Sequence, residues 1–160
     1  MKRMASCCFT GHRPEKLKDS AENIRRKLKR AIEDAIEDGF IIFISGMARG
    51  IDLWAAELVI EQKQYFPQIQ LICAILFRGF EQGWSRNWQE QYNKILREAD
   101  KVYYLSAWFS KEVYQIRNEW MINHASMVIA YYSGIAGGTR NTLVYAQKQK
   151  DYIIRMLDVE

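Results

Sequence analysis

The sequence contains little proline and no long apolar run. Its 160 residues include two prolines and nine glycines, with no low-complexity segment, so a collagen-like or linker-type chain is excluded. Apolar stretches such as 40–44 and 71–77 are far shorter than the roughly 20 residues needed to cross a bilayer. The apolar run at 4–9 is too short for a signal peptide. We therefore predict a cytoplasmic chain without membrane association.

Cysteine is also scarce. Cys7, Cys8 and Cys73 are an odd number, and two of them are adjacent. Their spacing fits neither a zinc site nor a redox motif. No combination of His, Cys and Asp in the sequence has metal-ligand spacing. We expect reduced thiols in the core and no bound metal.

The excess of positive charge is mild. Lys and Arg number 23 against 19 Asp and Glu, a net charge of +4, and 49% of the residues are hydrophobic. This balance is typical of a globular domain and too weak to indicate a dedicated nucleic-acid binder. A chain of this length can bury one real core without disulfides. We expect a single domain over residues 1–160.

Two kinds of apolar pattern alternate along the chain. Residues 4–10 form a continuous apolar run, typical of a strand buried on both faces, whereas Ile24, Leu28 and Ile32 recur at helical spacing. The same alternation continues to the end of the chain, with further strands predicted at 40–44, 69–77, 102–105, 127–132 and 152–157. We therefore predict an α/β fold with a mostly parallel sheet of about six strands and helices on both faces.

Glycine, arginine and hydroxyl residues cluster directly after three of these strands, at 10–13, 45–52 and 133–139. The carboxyl ends of parallel strands meet at one sheet edge, so these loops are expected to share a pocket. Glycine backbones and helix N-termini suit phosphate, and Arg13 and Arg49 could supply forked counter-charges. In the alternative interpretation, the glycines only make tight turns. Neither a Walker A motif nor G-x-G-x-x-G is present.

Three longer segments carry a family resemblance. CCFTGHRPEKL at 7–17, SGMARGIDLWAAE at 45–57 and RNEWMINHASMVIAYYSGIAGGTRNTLVYA at 117–146 resemble the YpsA-like branch of the SLOG superfamily. That superfamily also contains DprA-type DNA-processing proteins and Lonely-Guy-type phosphoribohydrolases. The resemblance covers nearly the whole chain. It implies a Rossmann-like three-layer sandwich whose Gly-rich loops bind a nucleotide or a related phosphorylated ligand. Our hypothesis is a sensor or regulatory module whose ligand is a nucleotide, NAD or an ADP-ribose-type molecule.

The resemblance and the loop pattern together nominate the ligand-binding residues. Arg49 and Gly134 come from the loop pattern, and the others match the family's motifs. The candidates are Thr10, Gly11, His12, Arg13, Ser45, Gly46, Arg49, Gly50, Asp52, Arg117, Asn118, Gly134, Gly137, Gly138 and Thr139. His12 is the histidine placed to donate a hydrogen bond to phosphate or to titrate near neutral pH.

Two other functions stay open. Lonely-Guy relatives hydrolyse a nucleotide N-glycosidic bond with a Glu after the Gly-Gly loop, but residues 140–144 contain no carboxylate. Asp52 is the substitute that the loops offer, although an Asp at the start of a helix is more often an N-cap. The DprA relatives bind single-stranded DNA. The basic run at 25–30 could meet phosphates, but a solvated helix face is the preferred interpretation and nucleic acid is not favoured.

Aromatic residues make up 13% of the chain. Tryptophans at helical spacing predict either core packing or a contact between subunits. The second alternative predicts a homo-oligomer. Phe80 and Trp84 differ, because they lie in the long connection 78–86 after the third strand. There they could stack on a base, or the loop could simply fold back on the core.

Overall fold

The strands of the protein form one parallel sheet. The structure is a computed structural model that describes residues 2–157, so Met1 and residues 158–160 of the predicted domain lie outside the described part. The sheet has the order β4-β3-β2-β1-β5-β6, and each neighbouring pair is parallel. Its strands are β1 Ser6–Gly11, β2 Ile42–Ser45, β3 Gln70–Ile75, β4 Lys101–Tyr104, β5 Met127–Tyr131 and β6 Ile153–Met156. The predicted α/β class is confirmed.

Five helices connect the strands. They are α1 Ala21–Glu37, α2 Ile51–Lys63, α3 Arg86–Glu98, α4 Val113–Asn123 and α5 Gly138–Gln147, with short 3-10 turns at Arg3–Ala5 and Pro14–Lys16. The stripe predicted for α1 is buried, and Ser20 caps this helix by accepting a 3.1 Å hydrogen bond from the backbone N–H of Asn23. In the described part of the chain, no helix is long and apolar enough to span a bilayer.

The helices lie on both faces of the sheet and create two cores. Helices α1, α2 and α3 pack on one face, and α4 and α5 pack on the other. Cys7 belongs to the first core and Cys8 to the second, because successive strand residues point to opposite faces. All three cysteines are free and buried, as predicted. The result is the expected three-layer sandwich.

The direction of the chain connections reverses between β1 and β5. Strands β1 to β4 extend in one direction across the sheet, and β5 and β6 lie on the other side of β1. In open α/β sheets, ligands bind in the crevice beside such a switch point. Gly11 ends β1 here, and a Cβ added to it would lie 2.3 Å from Cγ1 of Ile51. The glycine therefore lets α2 begin directly against the end of β1.

Candidate functional site

A cleft of about 660 Å³ opens at the carboxyl edge of the sheet beside the switch point. Loops that follow β1, β2, β3 and β5, together with the first turns of α4, line it. Most of the candidate residues lie in its wall: Thr10, Gly11, His12, Arg13, Arg49, Asp52, Arg117, Asn118, Gly137, Gly138 and Thr139. Ser45, Gly46, Gly50 and Gly134 are the nominated positions that do not line the cleft.

His12 joins the two loops at the switch point. Its Nε2 accepts a 3.0 Å hydrogen bond from the backbone N–H of Ser133, and its ring packs 5.6 Å from that of Tyr132. Burial lowers the pKa of His12, and the nearby charges of Lys16 and Lys18 add to this effect. An acceptor Nε2 requires the neutral ring with its proton on Nδ1. His12 therefore holds the β1 and β5 loops together through Nε2, so that Nδ1 is the ring nitrogen that carries a proton to donate.

The loop between β2 and α2 is fixed from beneath the cleft. The Oγ of Ser45 donates a 2.8 Å hydrogen bond to the carbonyl oxygen of Asp52 and accepts one of 3.1 Å from the N–H of Met47. Gly50 is the N-cap of α2 at a φ of +91°. The N-cap interpretation of Asp52 was wrong, because its carboxylate points back to the loop and accepts a 3.3 Å hydrogen bond from the N–H of Ala48. Ser45 and Gly50 thus shape the loop without facing a ligand.

Asp52 and Arg117 form a buried polar centre in the cleft wall. Each is less than a tenth exposed. Burial raises the pKa of Asp52 to about 6, although the Arg117 charge and the Ala48 N–H oppose the rise. Nη1 of Arg117 donates a 2.7 Å hydrogen bond to the carbonyl oxygen of Gly46, and Nε donates one of 2.9 Å to Oδ1 of Asn118. Among the described residues no acceptor meets Nη2, so one edge of this guanidinium keeps its hydrogen-bonding capacity.

The loop after β5 brings the N-terminus of α5 into the cleft wall. Gly137 is the N-cap of α5 at a φ of +147°, and a Cβ built on it would meet no atom within 4 Å. The first N–H groups of a helix have no partner within the helix, and those of Gly138 and Thr139 belong to residues of the cleft wall. This loop therefore differs from Gly11 and Gly46, where the missing Cβ makes room for the protein's own side chains.

Phe77, Phe80, Trp84 and Tyr114 make up an aromatic wall of the same cleft. The Phe80 ring lies at its centre, in edge-on contact with Phe77 at 5.9 Å, Trp84 at 5.2 Å and Tyr114 at 6.4 Å. The sequence had singled out Phe80 and Trp84, but not Phe77 or Tyr114. Tyr114 precedes Arg117 and Asn118 by about one helical turn, and that spacing was the signal that could have identified it.

The charged side chains of the cleft wall are mainly cationic. Asp52 is accompanied by Arg13, Lys16, Arg49, Lys111 and Arg117. One of these cations is already engaged, because Nη1 of Arg49 lies 2.9 Å from Oε1 of Glu15. Lys111, which the sequence did not indicate, enters from the segment that leads into α4.

The basic run of α1 is outside this cleft and largely ion-paired. Arg25 lies 3.0 Å from Glu57, and Arg30 lies 3.5 Å from Asp34. Lys27 lies 3.0 Å from Asp19. The predicted solvated face therefore carries ion pairs at Arg25, Lys27 and Arg30.

The fold and the cleft define a class: Rossmann-like α/β proteins with Gly-containing loops at the switch point. Residues 7–160 match the model of the YspA SLOG family, YpsA. The chain is 31% identical over 159 residues to UPF0398 proteins from Bacillus thuringiensis (strain Al Hakam) and Bacillus cereus (strain AH187). Each match covers 94% of this chain and 86% of the relative. The chain belongs to the YspA SLOG family, as its motifs predicted.

Solved structures of DNA processing protein A (DprA) share the fold. The DprA of Streptococcus pneumoniae aligns with a TM-score of 0.64 at 16% identity, over 92% of this chain and 49% of that one. The DprA of Helicobacter pylori aligns equally well over 93% of this chain and 64% of its own. The chain thus spans about half the length of the pneumococcal protein. At this identity, the likeness concerns the fold alone.

Proposed function

We propose that the protein binds a nucleotide or a nucleotide-derived ligand in the cleft and acts as a sensor or regulatory module. The observation that carries this proposal is that one cavity has two unlike linings: cationic side chains together with residues of the α5 N-terminus, and the aromatic wall. A nucleotide has the same two chemical ends, a phosphate and a flat base.

The anionic end of the ligand is assigned to the loop after β5 and to Arg117. The N-terminus of α5 carries unpaired N–H groups and a partial positive charge. Arg117 is 95% buried, with Nη2 unpaired among the described residues. A charged group that has left water is stabilised by an opposite charge. Asp52 already supplies part of that charge, and a ligand phosphate would supply more of it from the cleft. The exposed Arg13 and Lys16 would add to the attraction.

The base is assigned to the aromatic wall. Tyr114 is 45% exposed, whereas Phe80 and Trp84 are partly buried behind it. Stacking of a base on an aromatic side chain contributes about 1–3 kcal/mol and tolerates different bases. The edge-on contacts within the wall hold these rings in place before a ligand arrives, so little side-chain entropy is lost on binding.

Isothermal titration calorimetry with AMP, ADP and adenosine tests the proposal. We expect both nucleotides to bind more tightly than adenosine, and we expect Arg13→Ala to weaken nucleotide binding by roughly three- to ten-fold. Arg97→Ala removes an exposed arginine of α3 that does not line the cleft, and it should leave binding unchanged. Absence of nucleotide binding by the wild-type protein, across NAD and ADP-ribose as well, contradicts the proposal.

Hydrolysis of a nucleotide N-glycosidic bond is a second candidate, favoured by one observation. Asp52 is a carboxylate in the cleft wall whose pKa is raised to about 6, a value suited to general acid or base chemistry near neutral pH. Chromatography after incubation with nucleotides should then reveal free base, and Asp52→Asn should abolish its release. Recovery of the intact nucleotide excludes this candidate.

Single-stranded DNA binding, a property of the H. pylori DprA, is not favoured for this chain. A DNA-binding surface needs uncompensated cations along the strand, but the basic run of α1 makes ion pairs with Glu57, Asp34 and Asp19. An electrophoretic shift with single-stranded oligonucleotides at low salt would reverse this ranking.

A further inference from the structure

The carboxylate of Asp52 has one oxygen that no donor of the described chain meets. Asp52 lines the cleft and is only 7% exposed. Its Oδ2 accepts the hydrogen bond from the N–H of Ala48, whereas Oδ1 has no donor within residues 2–157. Oδ1 is not one of the wholly buried side-chain atoms without a partner, so it still touches solvent. A buried carboxylate is stabilised by donors, and Oδ1 can accept one from a molecule in the cleft.

Two donors of α4 lie in the same wall with unused capacity. Nη2 of Arg117 is free in the described part of the chain, and so is the side-chain amide nitrogen of Asn118, which is 8% exposed. Nε of Arg117 can only donate, so Oδ1 of Asn118 must face it and Nδ2 is directed elsewhere. This Nδ2 lies 3.8 Å from the position of a Cβ on Gly138, the first residue of α5. Both donors thus suit the phosphate that we assign to this end of the cleft.

The carboxylate and the guanidinium are neighbours without being an ion pair. Oδ2 of Asp52 and Nη1 of Arg117 lie 2.9 and 2.8 Å from one point, the position that a Cβ on Gly46 would take. Within residues 2–157, however, no N···O contact of 4.0 Å or less joins the two side chains. An acceptor and a set of donors are therefore adjacent in the cleft wall, and each keeps a free position for a different part of a ligand.

The acceptor does not suit a phosphate, because two negative charges repel each other. It suits a neutral donor, and the neutral donors of a nucleotide are the sugar hydroxyls and the N–H groups of the base. The base is assigned to the aromatic wall. The ribose is bonded directly to the phosphate, so it is the part that a carboxylate beside Arg117 would meet.

We propose that Oδ1 of Asp52 accepts a hydrogen bond from a ribose hydroxyl, so that the cleft selects ribonucleotides by their sugar. This inference rests on the proposed function. Stacking on the aromatic wall tolerates different bases, whereas a buried acceptor that loses its donor penalises any ligand without the hydroxyl. Selectivity for the sugar would also separate this cleft from a surface that binds DNA, whose sugar lacks the 2′-hydroxyl.

Calorimetry with AMP and 2′,3′-dideoxy-AMP tests the assignment, since the two ligands share base and phosphate. The titrations are run at pH 8, where Asp52 is ionised because its raised pKa is about 6, and with EDTA, which removes divalent ions as partners of the carboxylate. We expect the wild-type protein to bind AMP roughly ten- to a hundred-fold more tightly than the dideoxy ligand. 2′-Deoxy-AMP and 3′-deoxy-AMP then identify the hydroxyl that Asp52 meets.

Asp52→Asn tests the residue itself. The amide oxygen can still accept from the N–H of Ala48, but the charge is lost, so the preference for AMP should fall below about three-fold. Asp151→Asn is the matched control, because Asp151 is exposed, does not line the cleft and has a φ of +57° that asparagine tolerates. Its preference for AMP should equal that of the wild-type protein. Circular dichroism checks folding, and Asp52→Ala replaces Asp52→Asn if the amide disrupts the loop.

Each result bears on one level of the proposal. Equal affinity of the wild-type protein for AMP and 2′,3′-dideoxy-AMP overturns the contact with ribose and leaves nucleotide binding in place. A preference for AMP that survives substitution of Asp52 assigns the hydroxyl to another group and overturns the role of Asp52. Failure of both ligands to bind the wild-type protein overturns the proposed function, and this inference with it.

Discussion

Arg117 reaches from α4 to the loop after β2 and donates a 2.7 Å hydrogen bond from Nη1 to the carbonyl oxygen of Gly46. Helix α4 packs on one face of the sheet, whereas the loop leads into α2 on the opposite face. This contact therefore ties the two layers together at the carboxyl edge. It also fixes the guanidinium that the proposed ligand would meet.

Replacement of Gly46 by alanine should disrupt this contact. An added Cβ would lie 2.8 Å from Nη1 of Arg117 and 2.9 Å from Oδ2 of Asp52, distances that real Cβ atoms do not tolerate. Both neighbours are buried and fixed, so we expect Gly46→Ala to lower the free energy of unfolding by about 1–3 kcal/mol, as overpacking does. Urea denaturation measures the loss, and calorimetry should reveal a parallel loss of nucleotide affinity.

Gly83→Ala is the matched control for Gly46→Ala. A Cβ at Gly83 would meet no atom within 4 Å, and its φ is not in the left-handed region. This substitution should leave stability unchanged or raise it by about 0.4–1 kcal/mol, because alanine restricts the unfolded chain. Equal stability of the two variants would mean that the Arg117 contact yields easily and does not fix the cleft.

Asp52 predicts a pH dependence of stability with a definite sign. Folding raises its pKa from the ordinary 3.8 to about 6, so the native state binds more protons than the unfolded state between those values. Its contribution to stability is full below about pH 4 and is lost as the pH rises through about 6. Relative to Asp52→Asn, the wild-type protein should lose on the order of 3 kcal/mol of unfolding free energy between about pH 4 and about pH 7.

Urea denaturation of both proteins across this pH range measures the difference. The pKa of His12 is lowered by burial, which makes its own contribution rise with pH. This contribution is common to both proteins and cancels in the comparison. If the wild-type protein instead gained stability relative to Asp52→Asn with rising pH, attraction to Arg117 would outweigh the burial of the carboxylate.

The order of elements could be predicted from the sequence because each strand and helix has its own apolar period. The continuous apolar runs at Ser6–Gly11 and Met127–Tyr131 and the stripe of α1 are local signals. The Gly-bearing loops were placed correctly at one edge, since parallel strands all end there. Strand order was not predictable, because several orders bury the same apolar faces.

The roles of single residues in the cleft were harder to predict, since they depend on side-chain direction. Gly46 and Ser45 belong to the same motif as Arg49, yet both are buried beneath the loop and only Arg49 lines the cleft. Tyr114 was not predicted. The strand order decides which loops reach the cleft, and that order could not be predicted for the segment after β4. Arg117 was nominated by family resemblance, and nothing in its local spacing indicated a buried cation.

The ion pair between Arg49 and Glu15 predicts a variant with higher affinity. Glu15 follows β1 and holds Nη1 of Arg49 at 2.9 Å, so a ligand phosphate must compete with this carboxylate. Glu15→Gln removes the competing charge and should tighten nucleotide binding by roughly two- to five-fold, most clearly at low salt. Asp34→Asn, which breaks the comparable pair with Arg30 on α1, should have no effect. Weaker binding by Glu15→Gln would mean that Glu15 positions Arg49 for the ligand.

The aromatic wall predicts that binding of the base and binding of the phosphate can be weakened separately. Tyr114 is 45% exposed on the wall, in edge-on contact with Phe80 at 6.4 Å. Tyr114→Ala removes a stacking surface and should weaken AMP binding by roughly ten-fold, while binding of ribose 5-phosphate, which has no base, should not change. Ile116→Ala truncates another exposed residue of α4 that does not line the cleft and serves as the control. Calorimetry with the two ligands gives the comparison. An equal loss for AMP and ribose 5-phosphate would place Tyr114 at the phosphate end and remove the base from the aromatic wall.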